Sequence, residues 1–262
     1  MTNRTVLLLL LISALALSNV VSLAQQPPLP QGVEVRHYKF EPTGERLEYD
    51  VFVSRKVRKD RASPLVIALH GGGVPPLQII GMVRDAAERH GYIVAAPMGY
   101  RLDGWYGYMG APYRANPQRV RNGAFSEQDV MNVLGLMRAE FNIDDSRIYL
   151  VGSSMGGAGA LHLAMKYPGK WAAVAAAAPG VLDEFPNELP ALRATPVLII
   201  HGDRDDLVPL ERVNTWVKRM KELGVPVQYR MLRGGSHSAP LPNSVEDVFR
   251  FFDKHSLKTA KR

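Results

Sequence analysis

The chain has 262 residues, a formal net charge of +7, and a composition that is 46% hydrophobic and 22% charged. These values are ordinary for a globular protein, and the length suits one large α/β domain better than two small ones. The absence of cysteine excludes disulfides, a cysteine nucleophile and thiolate metal sites. The positive charge is scattered and accompanies no recognisable nucleic-acid-binding module, so we expect no nucleic-acid partner.

The N-terminal segment has the pattern of a secretory signal. A short, singly charged start precedes an apolar run over residues 6–17, and small residues frame a cleavage point after Ala24. The run is too short for an ordinary transmembrane helix, although a retained anchor is the alternative interpretation. Residues 1–24 are therefore predicted to be a signal peptide. We expect a secreted or periplasmic protein with no stable membrane anchor after cleavage.

Downstream of the cleavage point, the sequence predicts one continuous domain. Residues 25–32 are rich in proline and glutamine and are predicted to be a flexible leader. Residues 33–40 and 46–53 alternate between apolar and polar side chains around a Pro-Thr-Gly turn, which predicts an antiparallel hairpin. No repeat or linker interrupts residues 33–262, which we expect to form a single domain.

Beyond the hairpin, buried strands alternate with helices. Apolar runs typical of strands covered on both faces occur at residues 64–69, 92–96, 147–151, 172–178 and 196–200, and residues 227–232 add a last strand. Helical spacing occurs at residues 77–90, from 126, at 157–165, 211–223 and 245–255. This alternation predicts an α/β fold with a mainly parallel central sheet and helices on both faces. The run at 172–178 is rich in alanine, which favours helix, and is assigned to a strand from its place in the alternation.

One of the predicted helices begins at Ser126, whose side chain can cap it. Glu127 and Asp129 follow in its first turn, where carboxylates suit the positive end of the helix dipole. We therefore interpret these two acids as capping residues rather than catalytic ones.

The segment before that helix, residues 97–125, has little periodicity and is rich in aromatic residues. It is long for a loop in a compact domain. Two interpretations are open: a loop anchored by its own aromatics, or a wall of a substrate cleft. The second makes Trp105, Tyr106 and Tyr108 the candidate substrate-binding residues.

The sequence Gly-Ser-Ser-Met-Gly at residues 152–156 lies between a predicted buried strand and a predicted helix. Strand, G-x-S-x-G and helix in this order predict a nucleophile elbow, a turn so tight that only small residues fit around the serine. A plain small-residue turn is the alternative. In the elbow, the central Ser154 is the candidate nucleophile, while Ser153 has the wrong place between the two glycines.

A serine hydroxyl needs a base to take its proton and a carboxylate to hold that base. In hydrolases with this elbow the acid and the histidine follow the serine in that order, each after a strand. Asp205 is the preferred acid because it leaves the strand far enough to turn back across the sheet, whereas Asp203 and Asp206 suit turn formation. His237, in the glycine-containing loop after the last strand, is the candidate base.

An oxyanion formed during attack on an ester carbonyl needs two preorganised N–H donors. The sequence His-Gly-Gly-Gly at residues 70–73 follows the first predicted parallel strand and lets the backbone approach closely. We expect one donor from Gly72 or Gly73 and the other from Met155, the residue after the nucleophile. An ordinary glycine turn is the alternative.

Together, the segments at residues 70–73, 152–156, 201–209 and 235–237 resemble those of the α/β-hydrolase superfamily. Within it, they resemble secreted esterases of the polyhydroxybutyrate-depolymerase and feruloyl-esterase type and dienelactone-hydrolase-like proteins. The resemblance implies the α/β-hydrolase fold, with an acid at the fifth residue of the His-Gly segment, which is Asp205. The dienelactone hydrolases proper use a cysteine, which this chain lacks.

The expected activity is that of a secreted serine carboxylic-ester hydrolase, with an acyl-enzyme intermediate and no metal or cofactor. Short-chain or aryl esters, including feruloyl-type esters, are the expected substrates, as small molecules or linked to a polysaccharide. A serine peptidase of the prolyl-oligopeptidase type and a non-catalytic binding protein are the alternatives. The natural ester and the oligomeric state are left open.

Overall fold

The computed structural model describes residues 29–108, 115–182 and 184–257. The predicted signal peptide, residues 1–24, and the first part of the predicted leader lie outside the described residues. Within those three ranges, no helix combines the length and the apolar character needed to cross a membrane.

Eight strands form one sheet in the order β1-β2-β4-β3-β5-β6-β7-β8. The strands are β1 (Val33–Phe40), β2 (Glu45–Val53), β3 (Ser63–Leu69), β4 (Ile93–Pro97), β5 (Ile143–Ser153), β6 (Ala173–Ala177), β7 (Val197–Gly202) and β8 (Val227–Leu232). The β1–β2 and β2–β4 pairs are antiparallel, and the pairs from β4 through β8 are parallel. The predicted parallel sheet with an N-terminal antiparallel hairpin is confirmed.

Helices cover both faces of the sheet, as the alternation predicts. They are α1 (Pro76–His90), α2 (Pro117–Glu140), α3 (Met155–Lys166), α4 (Leu210–Glu222) and α5 (Val245–Asp253). Leu65, Ile67 and Leu69 of β3 face the core formed with α2, α3 and α4. Val66 and Ala68 alternate with them and face the second core, formed with α1 and α5. This alternation explains the continuous apolar run, since both faces of β3 are buried.

The alanine-rich strand β6 is confirmed as a central strand between β5 and β7. All five of its residues are buried, so tertiary packing outweighs the helical preference of alanine. A glycine on α3 lets this helix approach β6 closely, since a β-carbon added at Gly157 would lie 3.1 Å from the carbonyl oxygen of Ala177.

Helix α2 begins at Pro117, and the prediction that it begins at Ser126 was wrong. Asn116 caps it, because its side-chain oxygen accepts from the N–H groups of Gln118 and Arg119 at 3.0 and 3.3 Å. The first turns are exposed on every side, so no apolar periodicity marks them.

The capping roles expected for the two acids of α2 were therefore also wrong. Ser126, Glu127 and Asp129 lie in the middle of the helix, where all three side chains are buried. A buried carboxylate needs hydrogen-bond partners. Asp129 finds them in β1 and in the segment after β4, and Glu127 finds them in α3 and the residue that follows it.

Candidate active site

Ser154 occupies a strained turn between β5 and α3, with φ 56° and ψ −118°. A non-glycine residue in such a conformation costs on the order of 1–3 kcal/mol and is found chiefly at functional sites. The flanking glycines are required by close backbone approach. A β-carbon at Gly152 would lie 2.0 Å from the carbonyl oxygen of Gly156, and one at Gly156 would lie 2.0 Å from that of Leu69.

Backbone hydrogen bonds hold the strained serine in place. Its N–H donates to the carbonyl oxygen of Ala177 at 2.9 Å, and its own carbonyl oxygen accepts from the N–H groups of Ala158 at 3.1 Å and Gly180 at 2.9 Å. Because these bonds reach β6 and the segment after it, the position of Ser154 is fixed by the sheet as well as by α3.

The structure brings together the three residues that the sequence predicts as nucleophile, base and acid. The Ser154 Oγ lies 2.8 Å from Nε2 of His237, and Nδ1 of the same ring lies 2.8 Å from Oδ2 of Asp205. A carboxylate can only accept, so Nδ1 carries the proton and Nε2 is free to accept from the serine hydroxyl. The Asp205 side chain is fully buried, while that of His237 retains 16% of its exposure.

The loop after β7 is organised around Asp205. Its Oδ1 accepts from the N–H groups of Leu207 at 2.9 Å and Val208 at 2.8 Å. The buried His201 supports the same loop, because its Nε2 donates to the carbonyl oxygen of Val208 at 3.0 Å. Burial lowers the pKa of His201, although nearby Asp205 opposes the shift.

The two competing aspartates lie elsewhere. The Oδ1 of Asp203 accepts from the N–H of Gly234 at 2.6 Å, which ties the loop after β7 to the loop that carries His237. Asp206 is exposed. The choice among the three acids made from chain position thus agrees with the geometry.

The glycine segment after β3 lies against the nucleophile turn. A β-carbon at Gly71 would lie 3.7 Å from Cβ of Ser154, and one at Gly72 would lie 3.8 Å from Cβ of Met155. The N–H of Gly73, by contrast, donates to the carbonyl oxygen of Leu102 at 2.8 Å, so Gly73 does not offer the free donor expected of it. Of the two candidate glycines, Gly72 stays the candidate donor beside Met155, whose N–H belongs to the first turn of α3, where no intrahelical acceptor exists.

The three candidate substrate-binding aromatics have different positions. Trp105 flanks the nucleophile: a β-carbon at Gly180 would lie 3.2 Å from its ring and 3.5 Å from the Ser154 carbonyl oxygen. Tyr106 is fully buried, and Gly159 of α3 makes room for it. The expectation that Tyr106 lines the cleft therefore does not fit the structure, since its ring belongs to the core.

Tyr108 is also nearly buried, at 6% exposure. Its hydroxyl accepts from the N–H of Leu182 at 3.1 Å, and its ring lies edge-on to that of Trp216. Tyr106 and Tyr108 therefore fit the interpretation of a loop anchored by its own aromatics, and Trp105 stays the candidate for a wall of a substrate cleft. Sequence reasoning missed Gly180 and Leu102, which nothing in the local sequence distinguishes.

Comparison with known proteins identifies the family. The sequence profile of the phospholipase/carboxylesterase family matches residues 53–256, a range that includes Ser154, Asp205 and His237. The chain belongs to the phospholipase/carboxylesterase family. Members of this family are hydrolases, and the esterase class expected from the sequence is confirmed at that level.

Curated relatives of this carboxylesterase-family chain include esterases. It is 28% identical over 164 residues to a bifunctional acetylxylan esterase/xylanase of Neocallimastix patriciarum, covering 61% of this chain and 22% of the relative. It is 31% identical over 154 residues to a putative esterase of Nocardia uniformis subsp. tsuyamanensis, covering 58% of this chain and 43% of the relative. The matches thus span less than half of either relative.

Solved structures share the fold. A ferulic acid esterase superposes with a TM-score of 0.67 at 18% sequence identity, covering 85% of this chain and 98% of that structure. At this identity the similarity concerns the fold, and the substrate has to be argued from the site of this chain.

Proposed function

We propose that this protein is a serine carboxylic-ester hydrolase in which Ser154 attacks, His237 moves the proton and Asp205 orients the histidine. The observation that carries the proposal is the continuous hydrogen-bond chain from Ser154 Oγ through the His237 ring to Asp205, with both links at 2.8 Å. Membership of a carboxylesterase family supports it.

The reaction follows from the positions of these atoms. Nε2 of His237 takes the hydroxyl proton as Oγ of Ser154 bonds to the ester carbonyl carbon. The resulting oxyanion accepts from the N–H groups of Gly72 and Met155, and each such donor typically contributes about 2.7–4 kcal/mol in the transition state. His237 then returns the proton to the leaving alcohol, which leaves an acyl group on Ser154. A water molecule, deprotonated by the same histidine, releases the acid and restores the serine.

Short-chain and aryl esters are the proposed substrates, as small molecules or as groups carried by a polysaccharide. Trp105 is partly exposed beside the nucleophile, and a large aromatic face can stack on a phenolic ring. The acetylxylan esterase and ferulic acid esterase among the similar proteins agree with this class. The predicted signal peptide supports a location outside the cytoplasm.

The experiment compares 4-nitrophenyl acetate, 4-nitrophenyl octanoate and methyl ferulate, with the wild type and Ser154→Ala. Wild-type turnover that falls by about 10⁴-fold or more in a folded Ser154→Ala variant is the expected result. Absence of turnover in a folded wild-type sample, or equal turnover in the variant, would refute the proposal. An aminoacyl 4-nitroanilide in the same panel tests the peptidase alternative, and a binding protein would hydrolyse none of the four substrates.

A further inference from the structure

The segment of residues 98–107, here termed the bracing loop, connects β4 to the region before α2 and contacts the oxyanion segment of residues 70–73 at two points. The N–H of Gly73 donates to the carbonyl oxygen of Leu102 at 2.8 Å. At the other end, Nε2 of the buried His70 lies 2.8 Å from the carbonyl oxygen of Met98. The donor Gly72 lies between these two contacts, so its N–H direction depends on where the bracing loop lies.

The bracing loop is strained. Tyr100, Trp105 and Tyr106 all have positive φ, at 59°, 56° and 51°. Each such residue costs on the order of 1–3 kcal/mol and persists only where its surroundings enforce it. Contacts elsewhere in the fold must therefore hold the loop in this shape.

Asp129 of α2 supplies those contacts. Its Oδ2 accepts from the N–H groups of Gly99 at 2.7 Å and Tyr100 at 3.3 Å, and its Oδ1 accepts from the Tyr38 hydroxyl at 2.5 Å. The Asp129 side chain is fully buried. Burial raises its pKa to about 6, although the hydrogen bonds from Tyr38 and the two N–H groups oppose that shift.

The position of these contacts within the bracing loop is informative. Gly99 directly follows Met98, the residue whose carbonyl faces His70, and Tyr100 precedes Leu102 by two residues. Asp129 thus fixes the stretch of backbone that carries both contacts to the oxyanion segment. Ser126, one turn earlier on α2, fixes the other end of the loop, because its Oγ accepts from the N–H of Tyr106 at 3.1 Å.

We propose that Asp129, oriented by Tyr38, is a positioning residue for the oxyanion hole: it holds the bracing loop, and the loop in turn aims the N–H of Gly72 at the substrate oxyanion. Asp129 contacts neither substrate nor reacting atoms. The inference rests on the proposed function, and it adds α2 to a site otherwise built from the loops after β3, β5, β7 and β8.

A matched set of variants separates positioning from general stability. Asp129→Ala removes the acceptors for Gly99, Tyr100 and Tyr38. Asp129→Asn keeps the pattern, because a carboxamide oxygen can accept from the two N–H groups while its NH₂ donates to the Tyr38 oxygen.

The control is Glu127→Ala, on the same helix. Glu127 is also buried, but its partners are the side chains of His162, Lys166 and Tyr167. Burial alone would raise its pKa, and these partners outweigh that effect and lower it to about 2. Glu127 also lies against Gly107 at the far end of the bracing loop, but it takes part in neither contact to the oxyanion segment. Its loss should therefore destabilise the fold without moving that segment.

The measurements are kcat and KM for 4-nitrophenyl acetate, together with inhibition by phenylboronic acid, whose tetrahedral adduct on Ser154 places an oxygen in the oxyanion hole. For Asp129→Ala we expect kcat to fall about 10–100-fold, since an ångström of misplacement can cost about 100-fold. KM should stay within about threefold, and boronate inhibition should weaken by the factor lost in kcat. Asp129→Asn and Glu127→Ala should keep kcat within about threefold of wild type.

Wild-type kcat in a folded Asp129→Ala variant, or an equal loss of kcat in Glu127→Ala, would overturn the inference. If Asp129→Ala does not fold, Tyr38→Phe takes its place, with an expected loss in kcat of about 3–10-fold; an unchanged kcat there overturns the inference as well. Wild-type hydrolysis that depends on Ser154 is established first. If the wild type shows no such hydrolysis, the proposed function is refuted, and the inference with it. If the wild type hydrolyses the ester and Asp129→Ala keeps the wild-type kcat, the inference alone is refuted.

Discussion

The substitution Gly156→Ala tests the close fit between the nucleophile turn and the strand beside it. The added β-carbon would lie 2.0 Å from the carbonyl oxygen of Leu69, 2.5 Å from its carbonyl carbon and 2.7 Å from the carbonyl oxygen of His70. All three neighbours are backbone atoms, so no side chain can rotate away to make room.

The size of the effect follows from these distances. Carbon–oxygen contact becomes ordinary at about 3.4 Å, so β3 and the nucleophile turn must separate by more than about 1 Å. Misplacement of that size can cost about 100-fold in rate, and forced overpacking costs about 1–3 kcal/mol in stability. Because the oxyanion segment follows β3 directly, the separation moves Ser154 away from Gly72.

The assay is hydrolysis of 4-nitrophenyl acetate, paired with urea unfolding of the same samples. We expect Gly156→Ala to lower kcat/KM by about 100-fold or more and the free energy of unfolding by about 1–3 kcal/mol. The control is Gly135→Ala in α2, where the added carbon meets no described atom within 4 Å apart from its chain neighbours and the helix's own backbone. Alanine should stabilise the helix there by about 0.5–1 kcal/mol. Activity near wild type in Gly156→Ala would show that the turn is not packed as described.

Three further predictions concern the candidate acid, the proposed wall at Trp105 and a buried carboxyl. Asp205→Asn should lower kcat by about 10⁴-fold because the histidine loses its orienting acceptor, whereas the exposed Asp206→Asn should stay within about threefold; steady-state kinetics would expose a reversed order as a wrong acid assignment. Trp105→Ala should lower kcat/KM about tenfold for methyl ferulate and less for 4-nitrophenyl acetate, and equal losses on the two esters would contradict an aryl wall. Asp50 is buried in β2 with neither carboxyl oxygen bonded to a described residue, and burial, with a smaller contribution from Glu48, raises its pKa to about 7. A carboxyl group whose pKa is higher in the folded than in the unfolded protein favours folding at pH values below its unfolded pKa, and this advantage is lost as the pH rises through its folded pKa. Between pH 4 and pH 8, the free energy of unfolding measured in urea should therefore fall by about 2–4 kcal/mol more for the wild type than for Asp50→Asn. Equal decreases would refute a buried, unpaired Asp50.

Much of the fold follows from the sequence because its signals are local. The apolar runs of the parallel strands and the alternation of the hairpin predict the sheet, and three loop motifs predict Ser154, Asp205 and His237 as the candidate triad. Asp205 could be chosen among three aspartates because the distance from the strand end decides which side chain can turn back across the sheet.

The rest depends on contacts that no local pattern records. Helix α2 starts at Pro117 because Asn116 caps it, yet its first turns are exposed and give no apolar period. Trp105 and Tyr106 are adjacent aromatics in one segment, and the sequence does not distinguish them. Only the packing shows that Tyr106 lies in the core against Gly159, while Trp105 lies against Gly180 near the nucleophile.

Two further details were beyond sequence reasoning. The bond from Gly73 to Leu102 occupies the N–H of one of the three candidate oxyanion donors, and no local pattern records it because it joins segments about 30 residues apart. The partners of Asp129 are equally remote in sequence, and Tyr38 lies 91 residues away. From the sequence alone, Asp129 lies early in a predicted helix, and that position indicates only a capping role.

The most direct test of the central claim is the site of covalent reaction. The protein is treated with a fluorophosphonate ester, its intact mass is measured, and the modified peptide is sequenced in the wild type, Ser154→Ala and Ser153→Ala. We expect one adduct on Ser154, absent from Ser154→Ala and retained by folded Ser153→Ala. An adduct on Ser153 or on another residue, or ester hydrolysis by a sample that forms no adduct, would contradict it.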